Sequence, residues 1–269
     1  MPAVSQALAD FANQHRQRPE PGVQVITTSR YQVTLQPDFP IPGPNNIAWI
    51  RCKANEADEV IREARSKIAP HRLAVNWILD PGTEPPDFAD RLGVHGVRPD
   101  PHGAEAAVMV LPIDCRLAAQ PIEGLEIHDA LQDLATFRRS DGVAAEAFMA
   151  EMPGDDPHVI AAQERRRINQ RAAGHHRRLL ATVHDEPAGA ASLQLFPPTG
   201  AIINGGSVRP KFRGRGVYTA LVVARLEIAR QAGVAGLAVW GGDMSAPILA
   251  RIGFVTVGRR RFYLDTSTA

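Results

Sequence analysis

Apolar positions along the chain follow two periods in turn. Residues 4–16 space their apolar side chains as an amphipathic helix does. Prolines then punctuate RPEPG and QPDFPIPGP, so residues 1–45 read as a leader lying on the surface rather than a core element. From Asn46 the pattern is regular. NIAWIRCKA reads as a strand, and NEADEVIREARSKI as a helix with Asn55 as N-cap and Val60, Ile61, Ala64 and Ile68 on one face. RLAVNWIL is a strand, PPDFADRLGVHG a short helix between proline and glycine, and AEAAVMVLPI a further strand.

A second run begins after Gln120. PIEGLEIHDA is strand-like, and residues 131–150 and 156–172 are helical. RRLLATVHDE, AGAASLQLF and AIINGGSV follow as strands, joined by turn signals at Asp185-Glu186-Pro187 and Pro197-Pro198-Thr199-Gly200. A helix from Val217, the strand GLAVW, a short helix SAPILARIG and the strand FVTVGRRRFYL complete the pattern. Hairpins in the middle and alternating elements late predict an α/β (mixed α+β) fold, a mixed sheet with helices on its faces.

The chain has 269 residues, enough for two modest domains, and a net charge of +1. That balance gives a polyanion nothing to bind, which disfavours a nucleic-acid module. Two cysteines, Cys52 and Cys115, are too few for a disulfide framework and read as small core or strand residues. The opening residues lack the basic lead and apolar run of a secretion signal, and no run reaches the roughly 18 apolar residues of a membrane span. A cytoplasmic protein without membrane attachment is expected.

The candidate chemistry sits in VRPKFRGRGVY, residues 208–218. Gly214 and Gly216 have no Cβ, so an anionic group can approach the backbone closely. A helix starts at once, and its first N–H groups have no partner within it. Such a terminus, with Arg213 and Arg215 beside it, suits phosphate. The stripe Val217, Leu221, Ala224 and Ile228 ties the helix to a core. No Gly-Lys-Ser/Thr follows, so this is not a nucleotide P-loop, and the spacing is too short for the dinucleotide fingerprint.

The stretch GGSVRPKFRGRGVYTALVVARLEIARQAGVAGLAVWGGDMSAPILARIGFVTVGRRRFYL resembles the GNAT superfamily of acyl-CoA-dependent N-acyltransferases. Four features match in order: Val208-Arg209-Pro210 at a strand end, the loop Arg213-Gly214-Arg215-Gly216-Val217, a strand near Val239, and LARIGFVTVG before the last strand. The family loop is Arg/Gln-x-x-Gly-x-Gly/Ala; Arg213 and Gly216 match it, and Tyr218 occupies the final small position. The resemblance, over residues ~120 to 265, implies a GNAT-like mixed sheet and an acetyl-CoA site. Ser207, Val208 and Arg209 would hold the pantetheine arm through their backbone. The amides of Arg213 to Tyr218, with Thr219, would hold the pyrophosphate. The Val208 N–H would donate to the oxyanion as an amine attacks the thioester.

Proton handling is less legible. An alkylammonium has a reference pKa of about 10.4, so a base or a water chain is needed. Many family members carry a glutamate before the loop; AIINGGSV has none, and Asn204 can only orient a water. The family's tyrosine acid is replaced by Leu249. Asp243 and Ser245 are the nearest polar candidates for catalysis, and both equally suit capping of the helix SAPILARIG. Tyr218 and Tyr263 are further acids, with packing as their competing role. The triplets RRR at 165–167 and 259–261 read as solvated faces or edge protection. His175-His176 lacks companion ligands, so no metal is expected. His184 reads as a solvent-facing strand residue, and Trp49, Trp77 and Trp240 as core.

The first half repeats the order of the second: helix, LAV with a tryptophan, a proline-bearing helix, and RLGVHGV against RIGFVTV. Residues 46–117 therefore read as a degenerate GNAT-like αβ domain before an acyltransferase domain at 118–269. CKANEADEV offers carboxylates where the phosphate loop should be, so one acyl-CoA per chain is expected. The acceptor is a small-molecule or peptide amine, and the chain a monomer or homodimer. A non-enzymatic acyl-CoA sensor is the competing class.

Overall fold

The computed structural model describes residues 3–147 and 152–269. The first half contains α1 (Gln6–Gln14), β1 (Gln24–Thr27), β2 (Gln32–Leu35), β3 (Asn46–Ala48), α2 (Ala57–Ile68), β4 (Val75–Leu79), α3 (Phe88–Val94), β5 (Arg98–Pro99) and β6 (Glu105–Pro112). The second half begins with β7 (Leu125–Asp129), α4 (Leu134–Ala147), α5 (Pro157–Ala173), β8 (His176–Val183) and β9 (Glu186–Phe196). It ends with β10 (Gly200–Ile202), β11 (Ser207–Val208), α6 (Val217–Gln231), β12 (Gly236–Gly241), α7 (Ala246–Arg251) and β13 (Val255–Asp265). The fold is mixed α/β. Residues 148–150 of the helix expected over 131–150 lie outside the described residues. None of the described helices is long and apolar enough to cross a membrane.

The chain forms two compact units. One holds Ala9–Met109 with Trp240–Ala250 and Thr256–Ala269. There the strand order is β1-β2-β3-β4-β13, antiparallel except for β3 beside β4. The helical stripe of α2 is as the sequence requires: Val60, Ile61, Ala64 and Ile68 are fully buried against Trp77, Phe88 and Ile47. The segment expected as a surface leader differs. Residues 24–35 form the β1–β2 hairpin, and Tyr31, Val33 and Leu35 are completely buried. The prolines flank this hairpin instead of running through it, so they do not stop its ladder. Asn55 is not an N-cap; it lies within a 3-10 turn, residues 54–56, closed by Glu56, which accepts from the Lys53 N–H at 2.9 Å.

Asp265 locks the end of β13 to α2 and β4. Its carboxylate accepts from Arg65 Nε (2.9 Å), Trp77 Nε1 (3.0 Å) and Ser267 Oγ (2.6 Å) while only 2% exposed. Burial alone would raise this carboxyl, but the bonds from Arg65, Ser267 and Trp77 outweigh it and hold the group below the usual carboxylate range.

The other unit holds Val110–Val239 with Arg251–Val255 and the described residues up to Leu8. Here β7, β8 and β9 form an antiparallel meander. The β8–β9 turn is His184-Asp185, both at positive φ, one residue earlier than the sequence suggests; His184 is on this turn, not within a strand. α4 and α5 meet β8 through Asp141, which accepts from Arg178 (2.5 Å) and Arg166 (3.1 Å) with all three largely buried.

Each arginine triplet keeps exposed members (Arg165, Arg259, Arg261) but turns others inward, unlike a wholly solvated face. Arg166 serves Asp141, and Arg167 donates to the Leu131 carbonyl (2.9 Å). Arg260 is 3% exposed, donates to the Ala12 and Asn13 carbonyls at the end of α1, and stacks 4.1 Å from the Trp240 ring. Of the tryptophans, Trp77 is core, whereas Trp49 and Trp240 are half-buried beneath guanidinium groups.

Replacing Asp265 by Asn removes the buried charge opposite Arg65 and is expected to lower stability by about 2–3 kcal/mol at pH 7. A depressed folded-state pKa stabilises above the unfolded value near 3.9 and loses that contribution as pH falls through the folded value. Urea unfolding at pH 7 and pH 3 should therefore show the gap between wild type and Asp265→Asn shrinking in acid.

Candidate functional site

β9 is the strand on which the site is built. A Cβ on its Gly189 would stand 2.9 Å from Leu221 Cδ1 and 3.0 Å from Val217 Cγ1, so the glycine lets α6 lie directly on the sheet. Val217, Leu221, Val208 and Phe212 share that apolar cluster with Ala188 and Ala191.

β10 is paired on both sides, Ala201 opposite Leu195 on β9 and beside Leu237 on β12. The ladder to β12 ends with the Ile203 N–H on the Ala238 carbonyl at 3.0 Å. β11 then pairs only with β9, Ser207 opposite Ala190 and Val208 opposite Gly189. The strand expected as one run, residues 201–208, is therefore two short pieces. The Arg209 N–H donates to the Ala188 carbonyl at 3.0 Å. Neighbouring amides of a strand point to opposite edges, so the Val208 N–H faces away from β9, along the edge that β12 no longer covers.

After β11 the chain makes a 3-10 turn, Pro210–Phe212, and passes through Gly214 (φ +74°) and Gly216 (φ +86°) into α6. Both glycines hold the left-handed conformation that side chains resist. Gly216 caps α6 without a side chain, and the first bond into the helix runs from the Ala220 N–H to the Gly216 carbonyl at 3.0 Å. The amides of Gly214, Arg215, Gly216, Val217, Tyr218 and Thr219 have no hydrogen-bond acceptor among the described residues. Residues 213–216 are exposed. Six such donors at an open helix terminus form a cradle of the kind that suits an anion.

Side chains around this cradle are more committed than the sequence suggests. The Arg213 amide closes the 3-10 turn on the Pro210 carbonyl (3.2 Å), so the free donors begin one residue later, at Gly214. Its guanidinium donates to the carbonyls of Val208 (3.2 Å) and Ala147 (3.3 Å) and anchors the loop. Arg209 has its amide on β9 and its side chain on Glu146 (2.6 Å) and Glu186 (3.3 Å), which leaves Val208 as the open backbone position of the 207–209 segment. Arg215 lies 5.4 Å from the Phe212 ring centre. Tyr218 is half-buried, and burial pushes its phenol up against the opposing influence of Arg225. A Cβ on Gly206 would meet Tyr218 Cε2 at 3.2 Å, so that glycine makes the room the tyrosine ring occupies.

Asp243 and Ser245 lie on the turn before α7, within the other compact unit. Asp243 is exposed, and Ser245 Oγ donates to the Gly242 carbonyl at 3.3 Å, so the serine hydroxyl is turned back into its own turn and not onto the helix amides. Leu249 is fully buried on α7, and Tyr263 packs against the core of that unit.

The corresponding turn of the first half is closed. β3 runs antiparallel to β2 and parallel to β4 before leading into α2, as β10 does with β9, β12 and α6. There the Cys52 N–H donates to the Glu84 carbonyl (3.2 Å), the Glu84 N–H to the Ile50 carbonyl (3.1 Å), and Arg51 pairs with Asp80 (2.9 Å). The Glu84 backbone thus occupies the edge that corresponds to the one open at Val208.

Residues 144–254 match the acetyltransferase (GNAT) family. No curated protein matches the sequence. Among solved structures, a GCN5-related N-acetyltransferase from Kribbella flavida superposes with a TM-score of 0.66 at 12% identity, over 96% of this chain and 93% of its own. A tandem GNAT protein from the clavulanic acid biosynthesis pathway gives 0.59 at 15% identity, over 96% and 87% of the two chains. A GCN5-related N-acetyltransferase from Sphaerobacter thermophilus gives 0.58 at 16%, over 88% and 80%. The amides at 214–219 and the edge at Val208 both fall inside the matched segment, and the chain has a GNAT fold with a GNAT-like half before it.

Proposed function

We propose that the protein transfers an acetyl group from acetyl-CoA to a primary amine on a small molecule or peptide. The observation that carries this reading is the conjunction of six unpartnered amides at the start of α6 with the Val208 N–H turned to an open strand edge. The amides of Gly214 to Thr219 suit a pyrophosphate, and an acyl-pantetheine running along β11 would bring its thioester carbonyl to the Val208 N–H. The amine lone pair attacks that carbonyl carbon and the C–O π pair moves onto oxygen, where the Val208 N–H stabilises it. Collapse breaks the C–S bond, the thiolate takes a proton, and the new amide nitrogen loses one, so the net transfer is acetyl for hydrogen between sulfur and nitrogen.

One observation favours the competing reading, an acyl-CoA sensor without turnover. The strand before the loop carries no carboxylate, and Leu249, at the position of the family's tyrosine acid, is completely buried. Release of free thiol from acetyl-CoA over a panel of amines separates the two. Turnover with any amine supports transfer, whereas tight CoA binding with no thiol release on the whole panel supports the sensor.

Gly216→Val places a β-branched side chain in left-handed backbone at the cradle. The expected result is a stability loss of about 1–2 kcal/mol and CoA binding weakened at least about tenfold, read by calorimetry below the variant's melting range. Wild-type affinity in this variant would remove the phosphate assignment.

Asp243→Ala and Ser245→Ala are expected to lower kcat more than they raise KM for acetyl-CoA if either residue moves a proton. Steady-state rates that match wild type in both would assign proton transfer to solvent.

Native mass spectrometry with excess acetyl-CoA should show one cofactor per chain. The first half has main-chain bonds from Cys52 and Glu84 in place of an open edge, and Glu56 and Asp58 in place of a glycine cradle. Two bound cofactors would overturn this assignment.

A further inference from the structure

α6 buries an arginine among its apolar residues. Arg225 is fully buried, between Leu221, Val222, Leu226 and Ala229. Its hydrogen-bond partners among the described residues are carbonyls, none a carboxylate. Nε donates to the Leu221 carbonyl of its own helix (3.0 Å), and Nη1 to the carbonyls of Ser192 (3.2 Å) and Ile203 (2.7 Å). Nη2 is buried with no acceptor among the described residues. Burial lowers its pKa to about 10, which still leaves it charged at neutral pH. A leucine or methionine would fill this place without the desolvation cost of an unpaired cation. The two inter-strand carbonyls explain why the arginine stands there.

Residues 203–206 are a β-bulge. Ile202 stands opposite Gln194 and Ser207 opposite Ala190, so four residues on one strand face three, 191–193, on β9. Gly205 holds φ +73°, and Gly206 leaves space where a Cβ would press on Arg225 Nη2 at 3.2 Å. The extra residue changes which way every later amide points. Hydrogen-bonded pairs with β9 fall on every second residue, and Gly200 and Ile202 belong to that set because Leu195 sends its N–H the other way, to His175. Continued without the bulge, the same set reaches Val208, whose N–H would then point into β9. With the bulge the set reaches Arg209 instead, as its bond to Ala188 records, and the Val208 N–H is released to the open edge.

The bulge strands two carbonyls. Ser192 loses the strand partner it would have had in regular register, and Ile203 leaves the β12 ladder after its N–H. Arg225 Nη1 takes both. We propose that Arg225 is a positioning residue for acyl transfer: its guanidinium replaces the strand partners that Ser192 and Ile203 lose, fixes the one-residue bulge, and thereby keeps the Val208 N–H facing the acyl group. The assignment of the N–H to an acyl group rests on the proposed function; the control of its direction does not.

Amide hydrogen exchange by NMR on the protein without acetyl-CoA tests the second part alone. In wild type the Val208 amide should exchange fast between protected Ser207 and Arg209 amides. In Arg225→Met the bulge should lose its hold, with the Val208 amide gaining at least about tenfold protection or the Ser207 and Arg209 amides losing it. Arg225→Lys, which keeps the charge and one carbonyl contact, should fall between and serves if the Met variant does not fold. Unchanged exchange at 207–209 in Arg225→Lys and in any folded Arg225→Met would overturn the proposal, whatever the activity. In the transfer assay, kcat should fall about a hundredfold or more in Arg225→Met while CoA affinity stays within a few-fold, because the 214–219 amides are untouched. A parallel loss of CoA affinity would instead mark Arg225 as a general packing residue. A wild type that shows the exchange pattern yet transfers to no amine would fail the activity reading and leave the register assignment standing.

Discussion

Buried backbone groups must be paired, and the chain leaves its ladder at Ile203 and rejoins β9 at Ser207 with both of those residues buried. The parts around them answer that constraint. Gly189 lets α6 close onto β9, so the side chains of α6 can reach the strands. Arg225 accepts no help from a carboxylate and supplies donors to Ser192 and Ile203. Arg213 takes the Val208 carbonyl, and Arg209 ties the same turn to Glu146 and Glu186. What is left unpaired is the Val208 N–H, on the edge away from β9, and the six amides that open α6. The openness of the cradle is therefore a consequence of how completely its underside is satisfied.

Local chemistry made the cradle legible in the sequence. Two glycines before an apolar stripe signal a tight turn into a bare helix start; the turn is there, with Gly214 and Gly216 at positive φ, and α6 begins at Val217. The stripe of α2 was equally local. The bulge was not, because it is a difference in register between two strands, and no residue in AIINGGSV states how many residues of β9 it will face. The Asn204-Gly205-Gly206 run was its one trace, legible only once Gly206 is seen against Arg225 and Tyr218. The hairpin at 24–35 was hidden for another reason: flanking prolines mark where chain enters and leaves a sheet as readily as they mark a surface tail.

Arginine is the residue whose role was hardest to infer. At 165–167 and 259–261 the charge density suggested solvent, yet each middle arginine is drawn inward, Arg166 to Asp141 and Arg260 to the carbonyls ending α1. A guanidinium carries five donors on a long apolar stem, so it can reach carbonyls from within a core where an ammonium would be more strongly hydrated. Helix and strand periodicity decide which of three adjacent arginines turns inward; composition does not.

The two halves use arginine at different places: Arg51 follows β3 in the first, and Arg225 lies within α6 in the second. In the first half Arg51 meets Asp80, and the neighbouring backbone of 50–52 and 84 exchanges hydrogen bonds, so strand edge and charge are both satisfied internally. In the second half Arg225 has no such counter-ion and spends its donors on carbonyls that a strand would otherwise have used. In the first half main-chain bonds to Glu84 close the edge, whereas after β10 a side chain meets the carbonyls and the Val208 N–H is left on the edge away from β9.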